Sequence, residues 1–264
     1  MAKPKVLILT GNGLNCEEET SFAFEIAGAA SDKVHLSDLL SGEKKLSDYK
    51  ILAFIGGFSF GDHLGAGTVQ AVKFKHGLRD DMDKFIQKEG LVIGICNGFQ
   101  TLVKLGLLPG FDNDYKTQRA TLTVNDSCRF EDRWVHMKVN PDSKCVFTKG
   151  IEQLFLPVRH GEGKFFAQDD ELIQKLFSQK QVVAQYTDDA GDPTDKYPAN
   201  PNGSLEAIAG ICDPTGKIFG IMPHPEGYLA PHNHPSWTRL KAQGKFPKQG
   251  EGVQIFKNAI KYFN

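Results

Sequence analysis

Leu91-Val92-Ile93-Gly94-Ile95-Cys96-Asn97-Gly98-Phe99-Gln100 is the stretch that decides how this chain folds. Leu91 to Ile95 run without a polar break, which reads as a strand buried on both faces, and such strands belong to parallel sheets covered by helices. From Gly98 to Leu105 the chain reads as helix, stopped by Gly106 and Pro109. Cys96 stands at the junction, with a glycine two residues before it and another two after. A strand that turns so sharply into a helix tolerates only small neighbours and lifts the residue at its tip above the sheet, the arrangement of a nucleophile elbow. The helix N-terminus adds N–H groups and a positive dipole end that favour a thiolate. A lone cysteine more often serves as a small buried hydrophobe, but packing alone does not require the flanking glycines.

Working outward, the first half of the chain repeats the same alternation. Lys5 to Thr10 is a short apolar run closing on Gly11-Asn12-Gly13, and Glu17 to Ala29 carries Phe22, Ile26 and Ala29 near helical spacing. Val34 to Leu36 reads as a second strand. Ile51 to Ile55 reads as a third, ending in Gly56-Gly57, and Val69 to Lys88 reads as helix. Strand–helix alternation predicts an α/β fold, a mostly parallel central sheet with helices on both faces. Ligands of such sheets collect at the carboxyl ends of the strands, where the glycine-rich turns fall. The second half adds a smaller extended and hairpin region. It holds two extended segments within residues 119–140, a strand from Leu154 to Phe166 interrupted at His160-Gly161-Glu162-Gly163, and a strand from Gln181 to Tyr186. A long loop covers 187–204, and Glu206 to Asp213 with Lys217 to Met222 read as a hairpin. A closing helix runs from about Gly252 to Phe263. With no repeat and no linker, residues 1–264 read as a single domain.

Composition narrows the partners. The 31 basic and 32 acidic residues are interspersed and leave a formal net charge of −1, so nothing resembles the basic stripe of a nucleic-acid binder. The apolar stretch Val6 to Leu9 is too short for a signal peptide, and no run approaches the roughly 20 residues of a membrane span. The five cysteines are odd in number and widely spaced, with no CxxC pair, which disfavours both a disulfide framework and a structural zinc site. These features predict a cytoplasmic protein with no nucleic-acid or membrane partner, in a compartment that keeps a thiol reduced.

A nucleophilic thiol needs a base and an oxyanion site. Ile221-Met222-Pro223-His224-Pro225-Glu226-Gly227 offers the base: prolines restrict the backbone on both sides of His224, and Glu226, two residues on in an extended segment, can accept the imidazole N–H. Cys96, His224 and Glu226 then make a cysteine version of the triad. A single His-x-Glu is weak by itself and gains its weight from the elbow. The N–H of Asn97 and one from Gly56-Gly57-Phe58-Ser59-Phe60-Gly61-Asp62 would hold the oxyanion. That glycine-rich loop lacks the Lys-Ser/Thr of a phosphate-binding Walker loop.

Together these segments resemble the class I (triad) glutamine amidotransferases, whose sheet is flavodoxin-like. Gly-Ile-Cys-Asn-Gly-Phe-Gln at 94–100, Gly-Gly-Phe-Ser-Phe-Gly-Asp at 56–62 and Pro-His-Pro-Glu at 223–226 are similar to those of phosphoribosylformylglycinamidine synthase glutaminases. Gly11-Asn12-Gly13-Leu14-Asn15-Cys16 and His160-Gly161-Glu162-Gly163 extend the resemblance from Thr10 to Glu226. The elbow and Pro-His-Pro-Glu are shared by the wider superfamily; the Phe-Ser-Phe-Gly-Asp and His-Gly-Glu-Gly segments narrow it. Glycine stands at Gly65, where many free-standing subunits of the family have arginine.

The resemblance implies that Cys96 is the nucleophile, His224 the acid/base and Glu226 its orienting carboxylate. It assigns the oxyanion N–H groups to Gly57 and Asn97, and makes Gln100 a substrate-holding residue. Glutamine would be the substrate, and ammonia would pass to a synthetase subunit, with a small third subunit in the assembly, that converts formylglycinamide ribonucleotide with ATP in purine biosynthesis. ATP and Mg2+ would belong to that partner, with no cofactor or metal in this chain. Other readings are a class I glutaminase serving a different synthetase, an elbow-cysteine hydrolase, and a metal-binding module built on His224, His232 and His234, where the crowding prolines favour a loop instead.

Overall fold

The computed structural model describes residues 3–264, leaving Met1 and Ala2 aside. Eleven strands are described: β1 Lys5–Thr10, β2 Ala30–His35, β3 Ile51–Phe54, β4 Leu91–Ile95, β5 Ala120–Thr123, β6 Glu131–Val139, β7 Gln153–His160, β8 Lys164–Ala167, β9 Val182–Thr187, β10 Ile208–Cys212 and β11 Ile218–Ile221. The α-helices are α1 Glu17–Ile26, α2 Leu36–Leu40, α3 Thr68–Gly77, α4 Arg79–Gln87, α5 Asn97–Leu105, α6 Asp170–Ser178, α7 Trp237–Ala242 and α8 Val253–Lys261.

Nine strands form one sheet in the order β2-β1-β3-β4-β11-β10-β9-β6-β7. Its first five are parallel; β1, β3, β4 and β11 are apolar throughout their interiors, as strands covered on both faces require, while the edge strand β2 is polar. Beyond β11 the pairings turn antiparallel and carry the hairpins of the second half. Strands β5 and β8 make a separate antiparallel pair. The register matters most at β4, where Ile95 pairs with Ile221 of β11 and Gly94 with Phe54 of β3. The three strands therefore end level, and the segments that follow them open side by side: Gly56-Gly57 after β3, Cys96 after β4 and His224 after β11.

Packing against the sheet explains why the elbow is glycine-rich. Helix α5 carries Phe99, Leu102 and Val103, all fully buried, down onto β3, β4 and β11. A Cβ on Gly98 would overlap the backbone carbonyl of Phe54, and one on Gly94 would lie 2.6 Å from Leu102 Cδ1 and 2.8 Å from the carbonyl carbon of Gly98. Helix α1 packs on α8, with the rings of Phe24 and Phe256 edge to face at 4.9 Å. Helix α3 packs against α5, and its Phe74 meets Phe54 of β3 at 5.2 Å.

The structure departs from the sequence reading in a few elements. The helix expected over Val69 to Lys88 is two, α3 and α4, broken where Leu78 leaves helical geometry at φ −131° and ψ 12° after Gly77. Strand β2 begins at Ala30, earlier than Val34, because β1 draws Ala30 to His35 into parallel register despite their polar side chains. Among the described residues no helix is long and apolar enough to cross a membrane.

Candidate active site

Cys96 joins β4 to α5 with φ 52° and ψ −107°, a left-handed conformation costly for a residue with a side chain. Its amide donates to the carbonyl of Ile221 at 2.8 Å, which anchors the turn to β11. The thiol is 4% exposed and donates to the carbonyl of Arg159, at the end of β7, at 3.5 Å. Strain held by β3, β4 and β11 together is the means by which an elbow fixes its tip.

His224 follows β11 in an extended conformation, and its own N–H donates to Pro157 of β7 at 2.8 Å. Nδ1–H donates to Oε1 of Glu226 at 2.6 Å, with both residues buried. An extended segment was expected to place Glu226 beside the ring. Instead Pro225–Gly227 is a 3-10 turn that starts at His224 and folds the carboxylate back. Burial alone would lower the pKa of His224. The Glu226 carboxylate, with the sulfurs of Cys96 and Cys16 adding, outweighs it and pushes the ring well above its ordinary 6.5. Nε2 of His224 and Oε2 of Glu226 are buried with no hydrogen-bond partner among the described residues.

The loop after β3 supplies the third side. Leu14 and Gly57 form an isolated antiparallel bridge in which the flanking residues make the bonds, Asn15 N–H to the Gly56 carbonyl and Phe58 N–H to that of Gly13. In that pattern the N–H of Gly57 itself turns away from Leu14. Gly57 has φ +134°, and a Cβ there would sit 2.7 Å from both Gly13 O and Leu14 Cα, so the close approach needs glycine. Asn97 is the first residue of α5, where N–H groups have no partner within the helix. Its side chain accepts from Ser59 N–H at 3.3 Å and donates to Asp62 Oδ1 and Gln100 Oε1, both at 3.0 Å. The elbow is thereby tied to the loop carrying Gly57.

Gln100 is buried in the same network. Its amide nitrogen donates to the carbonyl of Glu162, so the carboxamide is engaged by protein at both ends. Glu162 in turn accepts from Ala66 N–H at 3.0 Å. The segment His160-Gly161-Glu162-Gly163 thus reaches the site through main-chain atoms.

Two buried side chains that sequence reasoning did not single out, Asn125 and Asn202, hold that segment. Asn125 donates to the carbonyls of Arg129 at 2.9 Å and His160 at 2.8 Å, and its Oδ1 accepts from Gly163 N–H at 2.8 Å. These backbone partners fix the amide, so Nδ1 of His160, 3.1 Å from Asn125 Oδ1, carries the proton. Nε2 then accepts from Asn202, which also donates to the Tyr186 hydroxyl at 3.2 Å and accepts from Ser204 at 2.7 Å. Burial, reinforced by the nearby His224, lowers the His160 pKa to about 3 and keeps the ring neutral. One sequence signal points this way: a buried histidine demands two partners, and Asn200-Pro201-Asn202-Gly203-Ser204 lies in the long loop after β9.

The same bridge brings in Cys16, the residue just before α1. Its Sγ, a ring nitrogen of His224 and a carboxylate oxygen of Glu226 lie within 4.8 Å of one another. Burial pushes the Cys16 thiol up. His232 and His234 do not join His224 in this way. The ring of His232 packs on Trp237 and Phe246, and that of His234 on Trp134, Phe155 and Tyr228.

Residues 3–263 match the family described as CobB/CobQ-like glutamine amidotransferase domain. The phosphoribosylformylglycinamidine synthase subunit PurQ of Methanococcus maripaludis strain S2 is 48% identical over 268 residues, covering 99% of this chain and 98% of the relative. That of Dehalococcoides mccartyi is 49% identical over 262 residues, with the same coverage. Among solved structures, PurLQS from Thermotoga maritima superposes with a TM-score of 0.70 at 30% identity, over 99% of this chain and 100% of that one. The chain belongs to the CobB/CobQ-like glutamine amidotransferases, within the group of phosphoribosylformylglycinamidine synthase PurQ subunits.

Proposed function

We infer that this chain is the glutaminase subunit of a phosphoribosylformylglycinamidine synthase, and that Cys96, His224 and Glu226 carry its chemistry. The family membership supports the activity, and the buried 2.6 Å Nδ1–Oε1 pair beside the elbow thiol carries the assignment of residues. Residues 1–264 act as one glutamine amidotransferase domain.

The Cys96 thiolate adds to the amide carbon of glutamine, and the carbonyl oxygen becomes an oxyanion on the N–H groups of Gly57 and Asn97. Protonated His224 gives its proton to the departing nitrogen, so ammonia leaves and a glutamyl thioester remains. His224, held in one tautomer by Glu226, then takes a proton from water as the hydroxyl attacks the thioester. Glutamate leaves and the thiol is restored. Gln100 and Asn97 set the wall against which glutamine is placed.

Ammonia serves a PurL-type synthetase, with a PurS-type small subunit in the assembly, which makes formylglycinamidine ribonucleotide in de novo purine synthesis in the cytoplasm. ATP and Mg2+ bind that synthetase, and this chain carries no cofactor. The thiol is only 4% exposed, so loops around it shift to admit glutamine, and docking of the synthetase drives that shift. Reconstitution with the synthetase tests the assignment. Glutamine-supported formation of formylglycinamidine ribonucleotide is expected only when this chain is added, and a complex that uses ammonia alone would overturn it.

A further inference from the structure

Glutamine hydrolysis leaves one reactive group at the site unused, the thiol of Cys16. Among the described residues, Cys16, His224 and Glu226 are the one set of three histidine, cysteine or acidic side chains whose donor atoms all lie within 4.8 Å of one another. Two of the three are almost completely buried, and each leaves a polar atom without a partner, His224 Nε2 and Glu226 Oε2. Cys16 Sγ lies 3.5 Å from Asn15 Oδ1 and faces the ring of His224. The room between thiol and ring exists because residue 56 is glycine. A Cβ there would sit 3.0 Å from Cys16 Sγ, 2.8 Å from His224 Cε1 and 3.4 Å from Nδ1.

We propose that Cys16, His224 and Glu226 form a binding site for a divalent cation of the zinc class, and that its occupation switches the glutaminase off. Thiolate, imidazole and carboxylate bind zinc at about 2.3, 2.0 and 2.0–2.2 Å, giving donor-to-donor edges of about 3.5 Å. To reach that value Glu226 Oε1 moves out from its 2.6 Å contact with Nδ1, and Cys16 Sγ, within 4.8 Å of both partners, completes the triangle. On binding, the thiol proton of Cys16 and the proton between Nδ1 and Oε1 pass to solvent, and the metal takes their place. Three protein ligands leave a fourth position for water or for the sulfur of Cys96. His224 then keeps its one remaining proton on Nε2 as a neutral ring, too weak an acid to protonate the leaving nitrogen and with no free nitrogen to take a proton from water, so both halves of glutamine hydrolysis stop. The sulfur and nitrogen donors favour zinc over Mg2+, which prefers oxygen ligands, so the Mg2+ that accompanies ATP in the complex leaves the site empty. The inhibitory half of this proposal rests on the triad reading above; the binding half does not.

Cobalt(II) as a spectroscopic probe tests binding without reference to activity. The full-length chain is titrated with Co2+ and the thiolate-to-cobalt charge-transfer band is recorded for wild type, Cys16→Ala and Cys96→Ala. The band is expected in wild type and Cys96→Ala, and absent in Cys16→Ala; zinc should displace it. Loss of an outer-shell partner alone costs about 10–100-fold in metal affinity. Cys16→Ala in the assembled enzyme should therefore need at least about tenfold more zinc for half-inhibition, measured relative to its own activity in chelator. No band, a band that survives Cys16→Ala, or a band lost in Cys96→Ala overturns the site. Cys16→Ser, which keeps the size of the side chain but offers a poorer ligand, provides the same comparison should the alanine variant fold badly. Failure of the triad reading shows separately, as glutamine use by Cys96→Ala in metal-free buffer.

Discussion

Glu226 Oε1 lies 2.6 Å from His224 Nδ1, and a single 3-10 turn, Pro225–Gly227, produces that contact. The two side chains share a buried site, and the second carboxylate oxygen has no partner among the described residues. The carboxylate therefore spends its charge on one imidazole, fixing the tautomer that turns Nε2 away from Glu226 and favouring the imidazolium, the form that the proposed mechanism uses in proton transfer.

Glu226→Gln tests that role directly. The amide keeps the shape but not the charge, so kcat for glutamine hydrolysis should fall by about 10²-fold or more, with a much smaller change in KM. Steady-state kinetics of the assembled enzyme with glutamine decide it. A variant within a few-fold of wild type would show that the pair serves only packing.

His160 makes a prediction about stability. Its ring is held neutral in the fold, with its pKa near 3 against an ordinary 6.5. Because the unfolded chain takes up the proton first, this group's contribution is complete above 6.5 and is lost as pH falls towards 3. Denaturant unfolding of wild type and His160→Gln across that window should show the wild type's advantage shrinking, by at most about 1.4 kcal/mol per pH unit. A difference that stays constant with pH would mean that the ring is not held neutral.

Two glycines near the site should behave oppositely. Alanine at Gly98 drives its methyl into the Phe54 carbonyl, which the sheet holds in place, and should cost about 1–3 kcal/mol or more. Alanine at Gly161 meets nothing within 4 Å and needs no positive φ, so its cost should stay within about 0.5 kcal/mol. Thermal or denaturant melts of the two variants measure both. Equal costs would contradict the packing described for the elbow.

The parallel half of the fold was legible because its strands are buried on both faces, so Val6 to Leu9, Ile51 to Ile55 and Leu91 to Ile95 read as unbroken apolar runs. The elbow was legible for a related reason, since contact between α5 and β3 demands Gly98. Helix α6 was missed because it buries only Ile173 and Leu176 and is otherwise polar, while α7 buries no residue. The pairing of Cys16 with His224 and the bonds from Asn125 and Asn202 to His160 join residues far apart in the chain. No local period or propensity encodes them; they follow only once the sheet order and the Leu14–Gly57 bridge are known. Gln100 entered through the resemblance to class I amidotransferases, and its engagement with the Glu162 carbonyl appears only in three dimensions.

The most direct test of the whole account is Cys96→Ala in the assembled synthase, assayed with two nitrogen sources. Glutamine-dependent formation of formylglycinamidine ribonucleotide should be abolished, while formation fed with free ammonia should remain at the wild-type rate. Retained glutamine use would contradict the assignment of Cys96 as the nucleophile.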